Sequence, residues 1–419
     1  MTATSSQPAP SFAEIVREWG RIGCIGFGGP PAHVTLLRDL CVTRRAWLSD
    51  DQFERALAAV NLLPGPASTQ LAIYCAWRLR GNRGALIGGL CFVVPGLVMI
   101  LALSALFLAG SPPTWVRGAG MGAGAAVAAV AIRAGLGVAA PIFARARGRL
   151  RARVSIYALA GGAAAATVGP RLVLVLLACG AVELAWRGVT RGEIGVHAWP
   201  LLAGRLLTRL RTPGSHPAGP HTSGLSASLL GRAALLAIDP GGTGALAWTA
   251  FKVGALAFGG GFVIVPLMQA DAVSTYHWMT HAQFLNAVAL GQVTPGPVTQ
   301  TVAAVGYSAG GLAGGLFAAL VAFAPSFSFI LLGAARFERL LSSERVLAFL
   351  AGAAPAAAGA IIGSAVPLAA AIGETWQYAV LGAAALALLV LRRGVVPTLL
   401  GAGIAGALAV LLLGAPIQA

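Results

Sequence analysis

Charge is scarce in this chain: 10% of its 419 residues are charged, and of 29 basic residues only Lys252 is a lysine. A soluble domain carries about 25% charged residues, so an ordinary globular protein is excluded. Cysteine is sparse as well. Cys24, Cys41, Cys75, Cys91 and Cys179 contain no Cys-x-x-Cys spacing, which argues against a disulfide framework and a zinc site. No Gly-x-x-x-x-Gly-Lys-[Ser/Thr] loop exists, because the lysine stands in Ala-Phe-Lys-Val-Gly; the chain carries no recognisable ATPase. His-Glu-x-x-His and paired-carboxylate motifs are missing too, which disfavours a membrane-embedded enzyme, and neither cofactor nor metal is expected. The first ten residues hold no Lys or Arg, so the basic n-region of a cleaved signal peptide is lacking. Finally, no basic arm interleaved with aromatics accompanies the formal charge of +16. Nucleic acid is therefore excluded as a partner.

What the chain has is apolar length. It is 57% hydrophobic, with long runs at 85–110, 346–372 and 396–414, each near or above the ~20 residues that cross a bilayer as a helix. The arginines fall between such runs, where they hold loops on the cytoplasmic side. An all-α polytopic membrane protein follows, with the lipid bilayer as its solvent.

The chain also repeats itself. Phe27-Gly28-Gly29 recurs as Phe258-Gly259-Gly260, an offset of 258 − 27 = 231. The same offset carries Trp47 to Trp278, Gln52-Phe53 to Gln283-Phe284, and Pro64-Gly65-Pro66 to Pro295-Gly296-Pro297. After a one-residue deletion an offset of 230 carries Thr69-Gln70 to Thr299-Gln300, Gly81 to Gly311, Gly84 to Gly314 and Pro95 to Pro325. Two homologous halves follow, residues 1–186 and 246–419, joined by a Pro-, Gly- and Arg-rich linker over 187–245. Each half reads as seven apolar elements in the same order. They lie near 12–37, 50–64, 66–80, 84–110, 116–141, 154–168 and 170–186, and near 246–270, 281–294, 297–310, 312–336, 346–372, 376–391 and 396–414. His216 and His221, in the linker, have no partner ligands in sequence and read as loop residues.

Loop charge supplies orientation. Arg38, Arg44 and Arg45 follow the first element, but its counterpart loop has no basic residue; Arg78, Arg80 and Arg83 repeat that bias. At the next loop it reverses, with Arg117 against Arg336, Arg339 and Arg345. At the fourth it returns, with five arginines over 145–153 and none over 373–375. By the positive-inside rule the halves are inverted-topology repeats, an arrangement common in secondary transporters.

Such transporters bind substrate at broken helices near the bilayer midplane. The breaks here are Pro64-Gly65-Pro66 and Pro295-Gly296-Pro297. Pro66 and Pro297 at the first helical position leave free N–H groups on Ala67, Ser68, Thr69 and on Val298, Thr299, Gln300. Those groups, with the side chains of Ser68, Thr69, Gln70, Thr299 and Gln300, suit an anion. Gly28, Gly29, Gly259 and Gly260 break helices on the other side of each site, although close helix packing is the plain alternative for glycine pairs. Arg21 and Lys252 are repeat equivalents (252 − 21 = 231). Lys252 has no acid within a helical turn and is free to meet an anion, whereas Glu18 stands three residues before Arg21 and can pair with it. His33, Glu18 and Glu14 are the candidates for a coupling proton; a hydrogen-bonded structural histidine is the plain reading of His33. Arg133 and Glu183 could form an ion pair within the apolar segments.

Phe27-Gly-Gly-Pro-x-x-His33, then Trp47-Leu-Ser-Asp-Asp-Gln-Phe53 and Leu63-Pro-Gly-Pro66, resemble the first half of the chromate ion transporter family. Phe258-Gly-Gly-Gly-Phe262, Trp278, Gln292-Val-Thr-Pro-Gly-Pro297 and Gly306-Tyr307 resemble its second half. The resemblance implies a bacterial plasma-membrane protein that expels chromate, driven by the proton motive force, and confers chromate resistance. Chromate is a tetrahedral dianion close in shape to sulfate, so sulfate or another oxyanion stays open as the substrate, and a homodimer is left open as well. Ala76-Trp77 replaces Gly306-Tyr307 in the first half, so this lip of the first site is expected to differ in shape.

Overall fold

The computed structural model describes residues 10–62, 65–108, 112–167, 172–190, 242–257, 262–333 and 343–414. Pro64, Gly259, Gly260, and the linker's His216 and His221 lie outside the described residues, where all secondary structure is helical. Five segments are long and apolar enough to cross a membrane: Ala67–Phe107, Thr114–Arg145, Val298–Gly333, Glu344–Ala370 and Val395–Leu412. The protein is an all-α, multi-pass membrane protein.

Helix α1 (Phe12–Ile25) opens on a capping box in which Ser11 and Glu14 exchange hydrogen bonds. At 14 residues it spans about 21 Å, short of the ~30 Å hydrocarbon core. It stops at Gly26, and Gly28 and Gly29, at φ 97° and 74°, turn the chain into α2 (Pro30–Arg38). A π-helical stretch, Asp39–Arg44, extends α2. In the second half α8 (Thr243–Leu256) is followed by α9 (Ile264–Gln269) and a π stretch at Ala270–Thr275, 231 residues on from the first. Helices α3 (Asp50–Leu62) and α10 (His281–Val293), 13 residues each, follow at that same spacing.

Next come α4 (Ala67–Phe107) and α11 (Thr301–Gly333), the latter led in by a 3₁₀ turn over Val298–Gln300. Neither is a single rod. Arg80-Gly81 and Gly310-Gly311 leave helical geometry with nearly the same angles, Gly81 at φ 60°, ψ −154° and Gly311 at φ 61°, ψ −152°. Each helix folds back on itself there. A Cβ on Gly89 would lie 2.8 Å from Ile73 Cγ1, and one on Gly306 would lie 2.5 Å from Gly314 O. The sequence division into elements at 66–80 and 84–110 thus matches two arms of one hairpin. Ala76 and Gly306 pack inside these turns, ten and nine residues beyond Pro66 and Pro297, so they do not form a lip at the breaks.

The remaining helices interlock the halves. They are α5 (Thr114–Arg145), α6 (Arg149–Thr167), α7 (Leu172–Thr190), α12 (Glu344–Gly363), α13 (Ala365–Ala370), α14 (Thr375–Ala385) and α15 (Val395–Leu413). Helix α5 packs on α14 and α15, while α12 packs on α6 and α7, so each half covers the other. Small residues permit the approach: Gly118 and Gly122 face the backbone of Gly406 and Ala402, and Gly359 and Gly161 that of Ala158 and Ala356. Nearer the breaks, α1 lies on α4, α8 on α11, and the hairpins α4 and α11 lie on each other.

Candidate functional site

The two breaks are held by parts of the opposite half. Gly296 N–H donates to Gly26 O at 3.0 Å, tying the second break to the end of α1. A Cβ on Gly29 would lie 3.7 Å from Val298 Cγ2. Reciprocally, a Cβ on Gly65 would lie 3.3 Å from Gly254 O, on α8, and 3.3 Å from Ser326 Oγ, on α11. Gly65 and Gly296 take φ 121° and 94°, open to glycine and unfavourable to other residues.

Helix starts at the breaks differ slightly from the sequence expectation. Pro66 and Pro297 precede the first helical residue. The N–H groups of Ala67, Ser68 and Thr69 have no intrahelical acceptor. In the second half the tighter 3₁₀ turn sends Gln300 N–H to Pro297 O at 2.9 Å, leaving Val298 and Thr299 as donors. Around these termini Ser68, Thr69, Gln70, Thr299 and Gln300 are all buried. Thr69 Oγ1, Thr299 Oγ1, Ser326 Oγ, Gln300 Oε1 and Gln292 Nε2 have no protein partner. Buried polar atoms are nearly always bonded, so a cluster of orphans marks a place for a polar guest. The Gln300 amide is half engaged: its Nε2 donates to Val93 O at 2.8 Å.

His33 stands at the crossing of the halves. Its Nε2 lies 2.8 Å from Gly26 O and its Nδ1 3.2 Å from Ser68 Oγ, and its ring meets Phe92 edge-on. A carbonyl only accepts, so Nε2 carries the hydrogen and Nδ1 of the neutral ring accepts from Ser68.

The charged candidates are paired otherwise than sequence spacing suggested. Glu18 bonds Arg45 at 2.8 Å, not Arg21, which is exposed. Lys252 is not free: its Nζ lies 2.5 Å from Asp271 Oδ2, which also accepts from Thr249 Oγ1 at 2.8 Å. Spacing along one helix misses both pairs, because α1 and α8 reach the π stretches or the residue just after them. Glu183 bonds Tyr157, Arg187 and Arg153, while Arg133 is exposed, so the suggested Arg133–Glu183 pair does not form. Glu14 is spent on its cap, where hydrogen bonds from the Ser11 N–H and hydroxyl hold its carboxyl below the ordinary value.

Sequence reasoning did not single out Ser326, Gln292 or Asp271 as site residues. Ser326 had a signal: it replaces Gly96 of the first half, just after a proline shared by both halves.

Two doubled helix breaks, buried in an all-α bundle and ringed by unpartnered neutral donors, define a membrane transport protein of the broken-helix class. The profile of the chromate transporter family matches residues 13–184 and 244–408, and the chain belongs to that family. It is similar to the chromate transport protein of Cupriavidus metallidurans, 30% identical over 357 residues, covering 85% of this chain and 82% of that one. It is also similar to the chromate transport protein of Pseudomonas aeruginosa, 29% identical over 353 residues and covering 84% and 80%. No solved structure matches.

Proposed function

We propose that this chain is a secondary active transporter of the bacterial inner membrane that expels chromate at the expense of the proton motive force and so confers resistance. The observation that carries the reading is the set of orphan buried donors, Thr69, Thr299, Ser326 and Gln292, around two helix N-termini, the second of them tied to the end of α1 by the Gly26–Gly296 bond. Helix N-termini with hydroxyl and amide donors suit a tetrahedral oxyanion. Gly28, Gly29, Gly65, Pro66 and Gly296 shape the seat through backbone, with Pro64, Gly259, Gly260, Pro295 and Pro297 completing the motifs. Gln70 and Gln300 fold over the two glycines, and Arg21 and Lys252 set the potential along the approach. Relatives named as chromate transport proteins support chromate as the cargo.

The alternation of loop arginines supports antiparallel halves with the 187–245 linker cytoplasmic, an inverted topology that would suit alternating access. Cysteines introduced as Arg147→Cys and Gly373→Cys then label from opposite faces, and labelling from one face refutes the inversion.

His33 is the coupling candidate the geometry favours over Glu18, whose carboxylate is tied to Arg45. A proton on Nδ1 turns that nitrogen from acceptor to donor, so the Ser68 hydroxyl must release its hydrogen toward the α4 terminus. Proton binding thereby adds a donor beside the anion.

The test is transport in everted vesicles with labelled chromate and labelled sulfate. Chromate accumulation that collapses with the proton gradient is the expected result. Gradient-driven sulfate uptake without chromate uptake would assign the same donors to sulfate.

A further inference from the structure

We infer that the oxyanion is seated at the first break, residues 65–69, and that Ser326 of the other half is its selecting donor. This rests on the transport reading above and assigns unequal parts to its two breaks.

Four observations separate them. The α4 terminus offers three free N–H groups before Gln70 N–H bonds Pro66 O, whereas the shorter second terminus offers two before Gln300 N–H bonds Pro297 O. The second break is closed from outside: Gly296 N–H is bonded to Gly26 O, and Gln300 Nε2 to Val93 O. Gly96 lies so close to Pro295 O and the Gln300 amide that even a Cβ would collide with that oxygen. At the first break the position equivalent to Gly96 is Ser326 (96 + 230 = 326), fully buried, its hydroxyl unpartnered and facing Gly65. The buried Thr69 hydroxyl in the first turn of α4 is unpartnered too, a feature shared with Thr299 at the second break. His33 reaches only this terminus, through Ser68; its repeat equivalent is Ile264 (33 + 231 = 264), which carries no proton.

A serine hydroxyl in helix usually bonds the carbonyl four residues back. Ser326 does not, and the carbonyl concerned, Ala322 O, is pressed against Gly254. Its hydrogen is therefore available to an acceptor at Gly65. Three backbone N–H groups and the hydroxyls of Thr69 and Ser326 make a neutral, donor-rich seat for one tetrahedral dianion.

Chromate uptake by everted vesicles containing the full chain tests this. Ser326→Ala should raise KM about tenfold, the effect of losing one hydrogen bond to a charged acceptor, with protein level and thermal midpoint unchanged. Ser326→Thr, which keeps the hydroxyl, should bring KM back to within about threefold of the parent. Thr69→Val should match Ser326→Ala, and Thr299→Val should have the smaller effect. An unchanged KM in Ser326→Ala beside a raised one in Thr69→Val overturns the inference and leaves the transport reading intact. Thr299→Val equalling or exceeding Thr69→Val overturns it likewise. Absence of chromate uptake by the parent protein overturns the transport reading itself.

Discussion

Ala46 and His277 stand 231 residues apart, and both hold a positive φ, 46° and 53°, that ordinary side chains avoid. The backbone feature is shared, but the side chains are not. The same holds elsewhere. Gly65 and Gly296, the kinks at Gly81 and Gly311, and the π stretches at Asp39–Arg44 and Ala270–Thr275 repeat faithfully. Chemistry at matched positions diverges: Glu18 against Thr249, Arg45 against Tyr276, Leu40 against Asp271, His33 against Ile264, Gly96 against Ser326. Duplication preserved the residues that bend the chain and freed those that carry charge and protons. One half holds the buried histidine at the α4 terminus, while the other places the Ser326 hydroxyl facing Gly65.

The strongest way to break this comparison is at the shared scaffold. A side chain at Gly23 or at its equivalent Gly254 (23 + 231) collides with the backbone of α4 or α11. Gly23→Val and Gly254→Val should each cost about 3 kcal/mol or more and abolish folded protein, read as the monodisperse fraction after detergent extraction. If only one half suffers, the scaffold is not symmetric.

The ion pairs should respond unequally. Lys252–Asp271 is enclosed, with side chains 16% and 6% exposed, whereas Arg45 of the other pair is 40% exposed. Asp271→Asn strands a largely buried ammonium and should cost about 3 kcal/mol. Glu18→Gln lets Arg45 turn to solvent and should cost about 1 kcal/mol or less. Thermal unfolding midpoints in detergent report the order, and a double variant Asp271→Asn with Lys252→Gln should recover part of the loss. Equal shifts would erase the distinction between the pairs.

The smallest structural effect, and the most specific functional one, is expected at His33. His33→Gln keeps a side chain able to bond both Gly26 O and Ser68 but removes titration. Burial pushes the His33 ring down to about 4, so transport should survive at a reduced rate while its change on the acid side, around pH 4, flattens. A pH profile parallel to that of the parent assigns the coupling proton to another group.

Much of this was legible in the sequence. Proline and glycine act locally, so Gly28, Gly29, Pro66 and Pro297 announced breaks, the element boundaries near 80–84 and 310–312 fell at the Gly81 and Gly311 kinks, and apolar runs announced the helices between them. The pairing of Lys252 with Asp271, 19 residues away, was hidden, as was that of Glu18 with Arg45, 27 away. Helical spacing connects residues three or four apart, and these partners meet only after the chain has turned back through a π stretch. Ser326 was hidden for a related reason: it belongs to the first break in space and to the second half in sequence. The sequence marks it only as a serine in place of Gly96; the crossed packing of the halves shows which break it faces.

One acceptor has an additional consequence. Gly26 O receives both the His33 ring and the Gly296 N–H. In the alternating-access reading proposed above, rocking of one half against the other would stretch the bond to Gly296 and return lone-pair density to the imidazole. Under the proposed mechanism the affinity of that ring for a proton and the tilt of the halves are thereby linked, so that a bias on either shifts the other.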